Sequence, residues 1–252
     1  MSNRKLSVHQ EHELLQKLED AGLTDELAQT VIESAGNGLA KKTVVFIARG
    51  GYEATTSQKL AREIMGRNMV GIEEGVQCFG LTPTDEQLKT LSDVPFSEDV
   101  LRAHKDTHVL VANLGLSIVD IRSKVAGKGK IFYGQDWYDN QKFAKKAGQV
   151  GWLLIRKDQV PNSTSKTWNE QQALLGKDEY TPTAQEMIYA MVGYFLATGE
   201  RLFEHIYVRC SDLSSGGNRV YLGYFDAYGL SVDYYWDGSR RRRIGLSVAR
   251  KF

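Results

Sequence analysis

Cysteine is nearly missing from this chain: Cys78 and Cys210 are the only two in 252 residues, far apart and with no CxxC pair or Cys/His cluster around either. A disulfide framework or a structural zinc site needs more thiols than that, so the fold must rest on its apolar core. Long hydrophobic runs are missing too. No stretch approaches the roughly eighteen apolar residues in a row that a membrane-spanning helix requires. The N-terminus, MSNRKLSVHQEHELLQKLED, has no apolar segment of the kind a secretory leader carries. That pattern points to a cytoplasmic product, with export by a route that leaves no N-terminal mark still open. Neither charge sign dominates. A net charge of +1 at pH 7 gives no global pull toward nucleic acid or an acidic membrane surface. With 42% hydrophobic and 25% charged residues, the composition is that of a folded protein whose length suits two modest domains.

A second absence is local. From Ser211 to Arg243 the chain reads SDLSSGGNRVYLGYFDAYGLSVDYYWDGSRRRR, with no Lys, Glu, Gln or Met. At the frequency of those four types over the whole chain, a stretch of this length would hold roughly six or seven of them. What is there instead is Tyr, Ser, Gly, Asp, Asn and Arg. Tyr and Trp supply large, stiff, amphipathic contact area at low entropy cost, while Ser, Gly and Asn supply adaptable hydrogen bonding. This is the composition of a binding surface.

Periodicity sets the organisation along the chain. Leucines and β-branched residues at three- and four-residue spacings predict a helical pair over 6–35, broken at Gly22, with Thr24 as N-cap of the second helix. TVVFIARGG (43–51) reads as an apolar strand ending at a Gly pair, and ATTSQKLAREIMG (54–66) as a helix. HVLVANLG (108–115), KIFYG (130–134) and GWLLIRK (151–157) read as strands, and LSIVDIRSKV (116–125) as a helix or a strand. After a polar loop (160–172) comes the clearest helix, opening at Thr181-Pro182-Thr183 and stopping at Gly199. Its apolar face holds Met187, Ile188, Met191, Val192, Phe195 and Leu196. Short strands follow over 201–210, 219–225, 229–236 and 244–251. Within them Val220, Leu222, Leu230 and Val232 alternate with Tyr221, Ser231 and Asp233. Successive strand residues face opposite sides, so one face can be a hydrophobic underside and the other a display.

These residues resemble a known family. RVYLGYFDAYGLSVDYYWDGSRRRRIGLSVARK (219–251) is similar to the variable protein of a diversity-generating retroelement, a bacterial system in which a reverse transcriptase rewrites one gene end by adenine-directed mutagenesis. The resemblance is firm over 180–252 and extends to about 130. Randomising the adenines of AAC or AAT codons yields Tyr, Ser, Asp, Asn, Gly, Arg, His and Cys but never Lys, Glu, Gln, Met or Trp, which matches the gap with Trp236 as the exception. The resemblance implies an α+β protein with a C-terminal C-type lectin-like domain, related to that of formylglycine-generating enzymes, preceded by a helical and α/β region. It divides the chain into a helical pair (1–40), an α/β region of unnamed role (41–129) and the variable domain (130–252). It also implies a fixed frame of Arg219, Val220, Gly223, Phe225, Asp226, Gly229, Leu230, Trp236, Asp237, Ile244, Gly245, Ala249, Arg250 and Lys251. The changing positions are then Tyr221, Tyr224, Tyr228, Ser231, Asp233, Tyr234, Tyr235, Ser239, Arg241, Arg242 and Arg243. Calcium and sugar binding are not carried over, because no Glu-Pro-Asn or Gln-Pro-Asp motif is present and the WNE tripeptide at 168–170 is too little.

Other chemistry is thinly represented. His104 and His108 are four apart, which on a helix puts both imidazoles on one face, but no Glu follows the first; a solvated helix end is the better reading. The Gly pair in ARGGYEATTSQ (48–58) lies between an expected strand and helix, where backbone amides hold anions. That motivates the alternative function, a nucleotide- or phosphate-binding enzyme with its site in 43–134. Arg240 to Arg243 could bind nucleic acid, although a diversified surface explains the run as one draw among many. No GxSxG elbow or other nucleophile motif occurs, so no catalytic residue, metal or cofactor is assigned. The expected function is non-enzymatic binding of an unidentified ligand, a protein or other macromolecule. Replacing Tyr221, Tyr235 and Arg241 by Ala should then leave stability almost unchanged.

Overall fold

Serine and threonine open most of the helices. Ser7, Thr24, Thr55, Thr84, Ser97, Ser117, Thr167 and Thr183 each sit in extended backbone with the side-chain oxygen accepting an amide of the first turn. The computed structural model describes residues 6–48, 51, 52 and 55–252, which fall into two units divided between Gly51 and Tyr52. In the first unit, α1 (Val8–Asp20), α2 (Asp25–Ile32) and α3 (Gly38–Ala48) bury none of their residues. The helical pair expected over 6–35 is present, with the break at Gly22 and the cap at Thr24.

The strand expected at 43–51 is not there: residues 43–48 belong to α3, and Arg49 and Gly50 lie outside the described residues. A short apolar run cannot be told from a helical segment by periodicity. Here Val44, Val45, Phe46 and Ile47 are all exposed, and Thr43 Oγ1 donates 3.0 Å to the Leu39 carbonyl along the helix.

The second unit runs α4 (Thr56–Met65), β1 (Met69–Val70), α5 (Ile72–Phe79), α6 (Asp85–Thr90), α7 (Glu98–His104), β2 (His108–Asn113), α8 (Ile118–Lys124) and α9 (Lys142–Lys145). It continues with β3 (Gly151–Arg156), α10 (Trp168–Gln172), β4 (Glu179–Tyr180), α11 (Ala184–Thr198), β5 (Tyr207–Leu213), β6 (Arg219–Asp226), β7 (Gly229–Tyr235), β8 (Ile244–Leu246) and β9 (Ala249–Arg250). One sheet has the order β1-β2-β3-β9-β4 and the other β7-β6-β5-β8, so the class is mixed α+β. In the first sheet β1 and β2 are parallel and the rest antiparallel; in the second only β5 and β8 are parallel. Strands from 41–129 and from 130–252 share the first sheet, so 129/130 does not separate compact units.

Helix α11 is the centre of the packing. It is buried from Ala184 to Tyr194 except at Glu186 and touches α5, α8, β1, β2 and β5. Thr183 and Glu186 form its capping box, and Gly199, at φ 77°, ends it as the spacing predicts. The Ala184 amide donates 2.6 Å to Asp212 Oδ2 at the end of β5, tying the helix start to the second sheet.

Three further expectations are corrected. KIFYG (130–134) is not a strand; only Phe132 forms a bridge, beside Leu230 at the edge of β7. The closing IGLSVARK is two strands. β8 joins the second sheet and β9 the first, with the buried Ser247 and Val248 making the crossing. His108 is no helix end: it opens β2, buried at 3% exposure, with its ring 4.6 Å from that of His104 on α7.

Candidate functional site

Strand alternation builds the site. On the inner face of β6 and β7, Val220, Leu222, Leu230 and Val232 are fully buried, the hydrophobic underside expected from their spacing. On the other face the register sets Tyr221 opposite Asp233 and Gly223 opposite Ser231. Gly223 also lies opposite Tyr207 of β5. A side chain at Gly223 would collide with the Ile206 carbonyl, and its φ of 146° is poorly available to other residues. Just beyond it the ladder shifts register, and Tyr224, at φ 43°, lays its ring 4.5 Å from that of Tyr207.

The loop from Trp236 to Arg243 completes the site, and its backbone is held at several points. Arg209, fully buried on β5, donates to the carbonyls of Lys166 (3.1 Å) and Ser239 (2.7 Å) and to Gln171 Oε1 (3.0 Å). Burial works against its charge more than nearby Asp237 favours it, pushing its pKa down. The Ser165 amide donates 2.9 Å to the Arg241 carbonyl, and the Tyr207 amide 2.9 Å to that of Arg243. Arg219 grips Asp237 through two hydrogen bonds of 3.1 and 2.9 Å, with its guanidinium 3.9 Å from the centre of the Trp168 ring.

An open groove of about 440 Å³ results, lined by Tyr207, Tyr221, Tyr235 and Arg241 to Arg243. Arg241 lies 4.4 Å over the Tyr235 ring, and the Tyr207 and Tyr221 rings meet edge to face at 5.0 Å. Of the sequence-selected residues, Tyr235 and Arg241, Arg242 and Arg243 are exposed here, while Tyr224 and Ser231 are half-buried beside them. Asp233 is exposed, next to Tyr221.

Several of the eleven positions are placed differently from the expectation. Tyr221 is only 8% exposed: it floors the groove. Ser239 is buried under the loop, where its hydroxyl accepts from Arg241 Nε at 3.3 Å. Tyr234 shares the inner face with Val232 and packs 4.7 Å from Trp137, outside the groove. Tyr228 is 67% exposed but sits at the β6–β7 turn, its ring 5.7 Å from Lys130 Nζ. Trp236, assigned to the frame, is 60% exposed and lies against Gly238. Tyr207 was missed. It lies outside the biased stretch, and only strand pairing brings it in.

A separate cavity of about 340 Å³ lies at Tyr52, Gln58, Lys59, Arg62 and Ile72, within the region considered for a nucleotide. Its Arg62 is already paired to Glu74 at 2.6 Å and to the Met69 carbonyl. The strand that would precede a phosphate-binding turn is helix α3 over its described residues. Glu170 of the WNE tripeptide pairs with Arg240 at 2.8 Å, and among the described residues no three His, Cys, Asp or Glu side chains converge as metal ligands would. No described helix is long and apolar enough to cross a membrane. No protein-family model matches the chain, and neither a curated protein nor a solved structure was found to match it.

Proposed function

We propose that the protein is a non-enzymatic binding protein whose C-terminal groove is a diversified ligand site, the target of a diversity-generating retroelement on a C-type lectin-like scaffold. One observation carries this reading. The arginine run is held by its backbone, through the Arg241 and Arg243 carbonyls, while the side chains of Arg241, Arg242 and Arg243 stay exposed. A site built this way accepts side-chain exchange, because substitutions outside the core usually change stability by less than about 0.5 kcal/mol. The underside of Val220, Leu222, Leu230 and Val232 supplies the constant part.

The test is at the level of the gene. Deep sequencing of its 3′ end across a population of source cells should show exchanges at the first and second bases of the codons for Tyr235 and Arg241 to Arg243, at positions where the template copy carries adenine. The codons for Gly223 and Gly245 should stay constant, and a near-copy of this gene end should lie beside a reverse-transcriptase gene. Exchanges scattered evenly over frame and groove codons would overturn the reading.

A further inference from the structure

Four guanidiniums follow one another from Arg240 to Arg243, and they are not equivalent. Arg240 is neutralised by Glu170 at 2.8 Å. Among the described residues no carboxylate lies within ion-pairing distance of Arg241, Arg242 or Arg243, and all three border the groove floored by tyrosines. We propose that this groove takes an acidic, aromatic-bearing segment of a protein partner, with carboxylates on Arg242 and Arg243 and an aromatic ring among Tyr207, Tyr221 and Tyr235. The inference rests on the groove being the ligand site.

The chemistry follows from what a neutral occupant would leave behind. Covering three guanidiniums without a counter-charge costs their hydration, whereas a carboxylate meets the guanidinium fork with two parallel hydrogen bonds. The tyrosine faces add stacking area, as Arg241 over Tyr235 already illustrates at 4.4 Å. A polynucleotide fits less well. Strand binding needs positive charge tracked along many phosphates. Here the unpaired charge is confined to one groove of about 440 Å³, with Asp233 exposed beside Tyr221.

The experiment is to pan a randomised linear-peptide phage library against the full chain at low salt, then measure selected peptides by calorimetry. Selected peptides should be enriched in Asp and Glu by about threefold over the input. Gln replacements of their acids should weaken binding by about tenfold or more, as should raising the salt to about 0.5 M. An R242Q/R243Q variant should lose binding by a similar factor at unchanged Tm. The inference fails if nothing is enriched, if the peptides are no more acidic than the input, or if the variant binds them as well. It also fails if single-stranded oligothymidylate binds about tenfold more tightly than the best peptide. In those outcomes the sequencing test above still decides whether the groove is diversified at all.

Discussion

Tyr235 and Tyr221 are chemically identical and lie on neighbouring strands of one sheet, yet they should respond differently to truncation. Tyr235 is exposed at the end of β7, so Tyr235→Ala should shift the melting free energy by less than about 0.5 kcal/mol. Tyr221 is 8% exposed and packed against Tyr207, so Tyr221→Ala should cost about 2–4 kcal/mol in a urea titration. Equal losses would mean that the division between floor and rim is wrong. Arg209 is the other decisive side chain. It holds the Ser239 and Lys166 carbonyls without a carboxylate of its own among its hydrogen bonds. Arg209→Gln should therefore leave buried carbonyls unpaired, cost about 3 kcal/mol and speed amide exchange at Ser239 to Arg243. A variant with unchanged exchange in that loop would show that the loop is held by something else.

At the level of strands and turns, two glycines settle the geometry of the β5–β6–β7 meander. Gly223 sits against the Ile206 carbonyl and Gly229 against the Phe132 backbone, both at positive φ (146° and 105°). An Ala at either would meet backbone atoms in addition to the conformational penalty, so each substitution should cost several kcal/mol, about 3 or more. Gly217→Ala is the control: φ is also positive at 76°, but nothing lies within reach of a new Cβ, and the cost should be about 1 kcal/mol. Chemical denaturation of the three variants checks the order. Legibility varied among elements for physical reasons. Helix α11 could be read because its start, its apolar face and its stop each have a local cause in Thr183, Met187 to Leu196 and Gly199. The run at 43–48 could not, since four apolar residues in a row fit either a buried strand or a helix. The stretch at 130–134 misled for a related reason. It has strand-like residues, but the only backbone pairing it forms is at the edge of β7.

Taken as a whole, the second unit combines two sheets through α11 and through the β8–β9 crossing, and its acid response should follow from what this packing buries. His108 is held in β2 with its pKa pushed down to about 3, mainly by burial and then by His104 and the guanidiniums of Arg156 and Arg250. The unfolded chain binds a proton there near pH 6.5 while the native protein does not, so this contribution is complete above pH 6.5 and is lost as the pH falls toward 3. Thermal melts of the wild type should decline between pH 6.5 and 4.5 more steeply than those of His108→Gln. Parallel declines would show that His108 takes no part.

Local order in the chain was enough to determine the caps, the long helix, the hydrophobic underside of β6 and β7 and the biased composition of the last forty or so residues. Those properties depend on neighbours within a turn or on the two-residue period of a strand. The groove was decided only by tertiary structure. Tyr207 enters it through register with Gly223 and Ile244, Tyr221 becomes floor because Tyr207 covers it, and the arginine loop is positioned by Arg209 and Ser165. Each of these depends on pairing between segments distant in sequence, which composition and periodicity do not encode.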